Sequence, residues 1–344
     1  MISIDQSSTQ YNMETFVVIP CLNEAASILT TVRSLDFGPN SGLSATVHLV
    51  LVDNGSDDDT PQMISQIKNE NRENRVLVGH EIQRGFVPAR RSGVDVVKDF
   101  AIKNGICDTN CLILQADADA DYSPGYIEKF SNLATTLGEG HLFEAESIPH
   151  ACMSDHETEL IRRLMKFDAE FIPEEQFGAD CIVDDKMVGY LLSDWERVGG
   201  LQRDWVSGKE FIFCGTSRMW IQMLSHGFNR ILVDGATCAH SMRKISEGAD
   251  IFAATGGWPR GQIWKAKWRS RHPIAVSPNQ LLSPQWESIY EVVLENRKQH
   301  LDAMFNFLPA LVSRQTNLAG NLSPASIIFE AFMLAGIDLS VDFL

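Results

Sequence analysis

Four short apolar runs punctuate the first third of the chain: FVVIP (16–20), VHLVLVD (47–53), RVLVGHE (75–81) and CLILQAD (111–117). They are rich in β-branched residues at consecutive positions, which suits strands covered by helices on both faces. Between them, at 23–35, 60–69 and 87–103, the apolar positions fall at a helical period. Strand and helix alternating at this pitch predict right-handed crossovers and a mostly parallel, doubly wound sheet of the α/β class. In such sheets ligands bind beyond the carboxyl ends of the strands, so the residues that follow each run are the first candidates for function.

After residue 121 the pattern loosens. A helix at 124–137, a strand-like HLFEAES at 141–147 and a charged helical stretch at 155–171 come next. A strand at 186–192 precedes DWERVGGL, a helical turn closed by Gly199 and Gly200. Residues 216–240 read as helix, glycine stop, short strand and turn. Beyond about residue 246 the pattern becomes helical, with helices at 285–307 and 324–334. The expected organisation is a domain over 1–245, divided into a nucleotide-binding half (1–121) and a second half (122–245), followed by a mainly helical extension over 246–344.

With 344 residues and 44% hydrophobic content the chain can bury a sizeable core. Its 29 Lys and Arg against 45 Asp and Glu give a formal net charge of -16, which argues against nucleic acid as a partner, because such binders neutralise phosphates with basic surface. Any nucleotide it takes is small and held locally. The seven cysteines repeat no CxxC and predict reduced thiols in a cytoplasmic protein. No segment reaches the roughly 18 apolar residues of an integral membrane span. The last twenty residues come nearest but carry Glu330, Asp338 and Asp342, predicting a packed helix or a partner surface. Peripheral membrane contact and homo-oligomerisation stay open.

Candidate chemistry gathers where the strands end. PCLNEA follows the first strand, with Asn23 expected to cap the next helix, and DNGSDDDT follows the second, with Asp53 placed to accept hydrogen bonds from a base or ribose. After the third comes QRGFVPARRSG, whose Arg84, Arg90 and Arg91 stand out in an acidic chain, Arg90 being placed to face a diphosphate. The fourth strand delivers Asp117, Asp119 and Asp121 in DADADYSPGYIEKF. A helix-loop-helix calcium site is excluded there, since Tyr122 stands where such a loop needs glycine and a buried strand precedes it. Carboxylates at i and i+2 suit a cation, Mn2+ or Mg2+, that keeps positions open for substrate phosphates.

These segments, in this order and spacing, resemble the inverting family 2 glycosyltransferases of GT-A fold over about residues 14–135. The resemblance implies that Pro20, Asn23 and Glu24, with Asp53 and Asn54, hold the base and ribose of a nucleotide-sugar donor, while Gly85, Arg90 and Asp117 lie near its diphosphate. It makes Asp117 and Asp119 the DxD motif carrying a divalent cation, with His240 as a further metal or diphosphate ligand and Arg243 and Lys244 completing a diphosphate clamp. It also implies transfer to the hydroxyl of a carbohydrate or small-molecule acceptor, with a carboxylate on the acceptor side taking the proton. Where the family places a Glu-Asp pair, this chain reads CGTSRMW (214–220). Glu210 is then the preferred base, Asp204 the second choice, and Asp184 and Asp185 are more distant alternatives. Two rival functions remain: a nucleotide-sugar-binding scaffold without normal catalysis, and a sugar-phosphate nucleotidyltransferase, which would need a glycine-rich basic loop after the first strand. His150, Cys152 and His156 have metal-ligand chemistry at a spacing that fits no zinc pattern. The stretch from Trp258 to Trp268 reads equally as a lid or as packed aromatic surface.

Overall fold

The structure is a computed structural model that describes residues 13–72, 75–172, 181–256, 262–318 and 322–339. Its ten strands in chain order are β1 (Glu14–Cys21), β2 (Val47–Asp53), β3 (Val76–His80), β4 (Cys111–Gln115), β5 (Asp121–Tyr122), β6 (His141–Ile148), β7 (Val188–Leu191), β8 (Asp204–Val206), β9 (Lys209–Phe211) and β10 (Asn229–Ala239). Eight form one sheet in the order β3-β2-β1-β4-β7-β6-β10-β5, and β8 pairs with β9 in a separate hairpin. Within the large sheet β7 runs antiparallel to β4 and β6, and β5 antiparallel to β10. The other neighbouring pairs are parallel.

Both faces of the sheet are dry, as the unbroken apolar runs require. Along β1, Val17 and Ile19 enter one core with Leu49, Leu51, Leu112 and Leu114. Phe16 and Val18 enter the opposite core with Val50, Val52 and Ile113. The first core is covered by α1 (Ile28–Ser34), α2 (Thr60–Glu70) and, beyond α3 (Phe86–Asn104), by α4 (Tyr126–Leu137). The second is covered by α3 and, past α5 (Asp155–Ala169), by α6 (Leu192–Val198) and α7 (Gly215–Ser225). A one-residue slip of β1 against Val17↔Leu49 would exchange the two cores, so the register is fixed from both sides.

Further helices complete the chain: α8 (Arg243–Glu247), α9 (Ala249–Thr255), α10 (Gln262–Arg271), α11 (Pro278–Leu281), α12 (Glu287–Leu301), α13 (Leu308–Leu318) and α14 (Pro324–Leu334). A π-helical stretch, Asp302–Phe307, joins α12 to α13. Two apolar clusters tie these helices to the preceding half. One joins Phe211, Phe213 and Ile221 to Leu308, Ile328 and Phe332. The other joins Leu160 and Leu164 of α5 to Ala253, Trp268 and Val293. Among the described residues no helix is long and apolar enough to cross a membrane.

Three local expectations are corrected. Helix α1 begins at Ile28 rather than 23, and Asn23 does not cap it: Asn23 sits in the left-handed region at φ 59° and its side-chain Oδ1 accepts from the Asp57 amide at 2.7 Å. The segment after the glycine stop is an eleven-residue strand, β10, rather than a short one. The β8–β9 hairpin was not anticipated, though Ser207 and Gly208, at φ 52° and 78°, form the two-residue turn with positive φ at both positions that such hairpins favour.

Candidate active site

The carboxyl ends of β1, β2 and β4 open on one edge of the sheet. Pro20, in β1, pairs in register with Val52. The loops after β1 and β2 are stitched together: Asn23 donates its amide to Ser56 Oγ at 3.1 Å, Glu24 donates to Thr60 Oγ1 at 2.8 Å, and Ala25 donates to Asp58 Oδ2 at 3.2 Å. Asp53 is half-buried, with Oδ1 accepting from the Ser56 amide at 3.1 Å. Asn54 is buried and fully engaged. Its side-chain nitrogen donates to Glu81 O and Gln83 O, and its side-chain oxygen accepts from the Gly85 amide at 2.9 Å. Asn54 and Gly85 therefore buckle the β3–α3 loop onto β2, and neither offers that hydrogen bond to a ligand. Arg84 reaches back to Gly55 O and Asp57.

Arg90 differs most from its expected place. Its side chain is fully buried on α3, stacked on Phe86 with 4.6 Å between guanidinium carbon and ring centre. It donates to Gln115 Oε1 at 2.5 Å and to Asp117 Oδ1 at 2.5 Å. Gln115 in turn donates to the Tyr190 hydroxyl. A side chain so enclosed cannot meet a diphosphate in the cleft, and Arg90 instead fixes Asp117 from behind.

Asp117 and Asp119 lie together at the end of β4, both partly exposed. Arg243, the first residue of α8, places its guanidinium 3.1 Å from Asp119 and 3.2 Å from Glu24. Burial raises the pKa of Glu24, while the Ser27 hydroxyl and Arg243 pull it back. His240 does not join the pair as a third ligand. Its Nε2 lies 2.5 Å from Ser147 Oγ and 3.5 Å from Asp184, and among the described residues no three His, Cys, Asp or Glu side chains come together as a metal cluster. Burial, then the charge of Lys186, lowers the pKa of His240, while Asp184 and Asp117 work against that shift. The donor set here is thus two carboxylates, which fits a hard cation that draws its other oxygens from water and phosphate.

On the acceptor side the two preferred bases are tied up. Glu210 is held bidentately by Arg203 at 2.7 and 2.7 Å, an interaction that lowers its pKa. Asp204 is bound at 2.7 Å by Arg218, which is itself buried. A carboxylate locked to a guanidinium is a poor proton acceptor. At Gly215, in the first turn of α7, a Cβ would lie 2.8 Å from the Phe86 ring, so that position takes no acidic side chain without a shift of the ring. The acid that does reach this helix end is Asp185, whose Oδ1 accepts from the Thr216 amide at 3.2 Å. Its neighbour Asp184 pairs with Lys186 at 2.7 Å; burial works to raise its pKa, but Lys186 and His240 leave it lowered.

Sequence reasoning missed Tyr122 and Lys186 as organisers of this edge. The Tyr122 hydroxyl accepts from the Asp117 amide at 3.0 Å and donates to Lys186 O at 3.0 Å, linking the two acidic segments. Their signal was present in the sequence as a tyrosine directly after the acidic repeat and a lysine directly after an Asp pair. His150 pairs with Asp121 at 2.9 Å. Trp268 is buried, stacks on Trp264 and donates to Asp250 at 2.7 Å, so this end of the tryptophan stretch is packed surface, while Trp258 lies outside the described residues.

Residues 16–142 match the family described as glycosyl transferase family 2. No curated protein matches the chain in sequence. Among solved structures, the mannosyltransferase PcManGT from Pyrobaculum calidifontis, in complex with GDP-Man and Mn2+, is similar in fold at a TM-score of 0.50 and 16% identity, covering 95% of this chain and 82% of that one. S. aureus TarS 1-349 in complex with UDP-GlcNAc aligns at a TM-score of 0.45 and 12% identity, covering 94% and 90% of the two chains.

Proposed function

We propose that this chain, whose residues 16–142 match glycosyl transferase family 2, is a transferase of GT-A fold that moves a sugar from a nucleoside diphosphate sugar to an acceptor hydroxyl in a single inverting displacement. The observation that carries the reading is Asp117, clamped by the buried Arg90 beside Asp119 at the carboxyl end of β4. Asp117 and Asp119 would hold a divalent cation, Mn2+ or Mg2+, and its charge would offset that developing on the departing diphosphate. That the mannosyltransferase similar in fold was solved with GDP-Man and Mn2+ supports the same donor class here. The loops at Asn23 to Ala25 and Asp53 to Ser56, already bound to each other, would receive the base and ribose. Arg243, half-exposed and paired with Glu24 and Asp119, would supply positive charge to the diphosphate from the protein side. All seven cysteines are free thiols, which supports a reducing, cytoplasmic compartment.

A thermal-shift panel of UDP-, GDP- and dTDP-sugars with and without Mn2+ tests the donor site. A ligand at a hundred times its Kd stabilises the fold by about 2.7 kcal/mol, or roughly 5 °C for a chain of this size. The expected result is such a shift for one nucleotide class, lost with EDTA and lost when Asp117→Asn and Asp119→Asn are combined. No shift with any nucleotide sugar would overturn the reading.

A further inference from the structure

An inverting displacement needs a proton acceptor on the face opposite the diphosphate, and the two carboxylates nearest the α7 segment in sequence are bound to arginines. The sheet topology supplies another. Strand β7 runs antiparallel to β4, with Gly189 opposite Leu114, so the residues entering β7 arrive at the same sheet edge as the residues leaving β4. Tyr122 ties those two segments together through the Asp117 amide and the Lys186 carbonyl. Asp185, immediately before Lys186, therefore shares an edge with the donor-side carboxylates and reaches across to the first turn of α7.

We infer that Asp185 is the general base that removes the proton from the acceptor hydroxyl, an assignment that rests on the transferase reading above. Its carboxylate is held by Thr216, whose amide donates to Oδ1, and among the described residues no cationic side chain forms an ion pair with it. Asp184 is excluded by its bond to Lys186 through both oxygens at 2.7 Å. Thr216 is fully buried at the same helix end, so its amide and side chain hold the Asp185 carboxylate against the first turn of α7. Burial raises the pKa of Asp185, with the charge of Arg90 offsetting part of the effect. That moves the group from the ordinary carboxylate range toward the range where a base works best. In the step itself the acceptor O–H bond breaks and its proton passes to Asp185. The acceptor oxygen forms a bond to the anomeric carbon, and the bond from that carbon to the diphosphate oxygen breaks, its electron pair leaving with the nucleoside diphosphate.

The assay follows nucleoside diphosphate release, with water as acceptor, from whichever UDP-, GDP- or dTDP-sugar shifts the melting temperature with Mn2+. Asp185→Asn keeps an oxygen for the Thr216 amide, so the fold should survive. Because the folded-state pKa of Asp185 is raised, its ionised form opposes folding at neutral pH, and the variant should melt at or above the wild-type temperature at pH 8. Release should fall on the order of a hundredfold or more while the donor Kd stays within about threefold. The wild-type rate should rise with pH through a break above the ordinary carboxylate range near 4, and the residual rate of the variant should lack that break. Retained release in Asp185→Asn, loss confined to Glu210→Gln, or a donor Kd that weakens in step with the rate would each overturn the assignment. So would a wild type that binds donor yet releases nothing between about pH 5 and 9. Absence of donor binding in the wild type would instead remove the donor-site reading, and with it this one.

Discussion

Arg90 carries a full charge with no exposure, and its acceptors, Gln115 and Asp117, all lie on the protein side of the site. Burying a guanidinium costs several kcal/mol unless its partners are close and aligned, and breaking such a pair leaves the other charge stranded. Arg90→Met should therefore destabilise the fold by roughly 3–5 kcal/mol in urea denaturation, and Asp117, freed to rotate, should hold the Mn2+-nucleotide less well. A loss of Mn2+-nucleotide affinity with no loss of stability would place Arg90 in the cleft after all. The sequence held the clue to its burial. Val87, Arg90, Val94, Val97 and Ala101 are the buried positions at intervals of three and four along α3, so Arg90 occupies a core stripe rather than a solvated or ligand-facing one. Reading it by charge, as a phosphate contact, overlooked its helical phase.

At the scale of elements, the start of α7 decides what the acceptor side can be. Cys214 takes the left-handed conformation at φ 54°, and Gly215 then packs against Phe86 and Val87 at the start of α3, closing the two helices on each other. Gly215→Ala inserts a methyl group into that contact and should cost about 1–3 kcal/mol, seen as a lower midpoint in denaturant. An unchanged midpoint would show that Phe86 can yield. The sheet was legible because runs apolar on both faces have one solution in an α/β domain, and β1, β2, β3 and β4 fall within a residue or two of their predicted runs. The acceptor side was less legible. Its carboxylate comes from the loop entering β7 and meets α7 only through the antiparallel placement of that strand, a juxtaposition some thirty residues apart in sequence that no local pattern encodes.

For the whole molecule, the question is whether the helices after residue 245 form a separate body. Phe332 and Ile328 of α14 share a core with Phe211, Phe213 and Ile221 beside the acceptor-side helix. Leu160 and Leu164 of α5 are buried against the helices that follow β10, and Arg297 of α12 binds Asp168 of α5 at 2.5 Å. The sequence suggested the boundary by its change of character, but an apolar helix does not announce what it packs on, and the partners of α14 come from α7 and the β8–β9 hairpin, about a hundred residues earlier in the chain. Shared cores of this kind couple the two parts in unfolding. Phe332→Ala, at a buried position, should cost about 3–5 kcal/mol. Because the cluster spans both parts, the loss should appear as one shifted transition, with tryptophan fluorescence and far-ultraviolet dichroism coincident, rather than as an early partial melt of the C-terminal helices. Two separated transitions in the variant would show instead that the acceptor half stands without them, and that the helices serve it only as an appended layer.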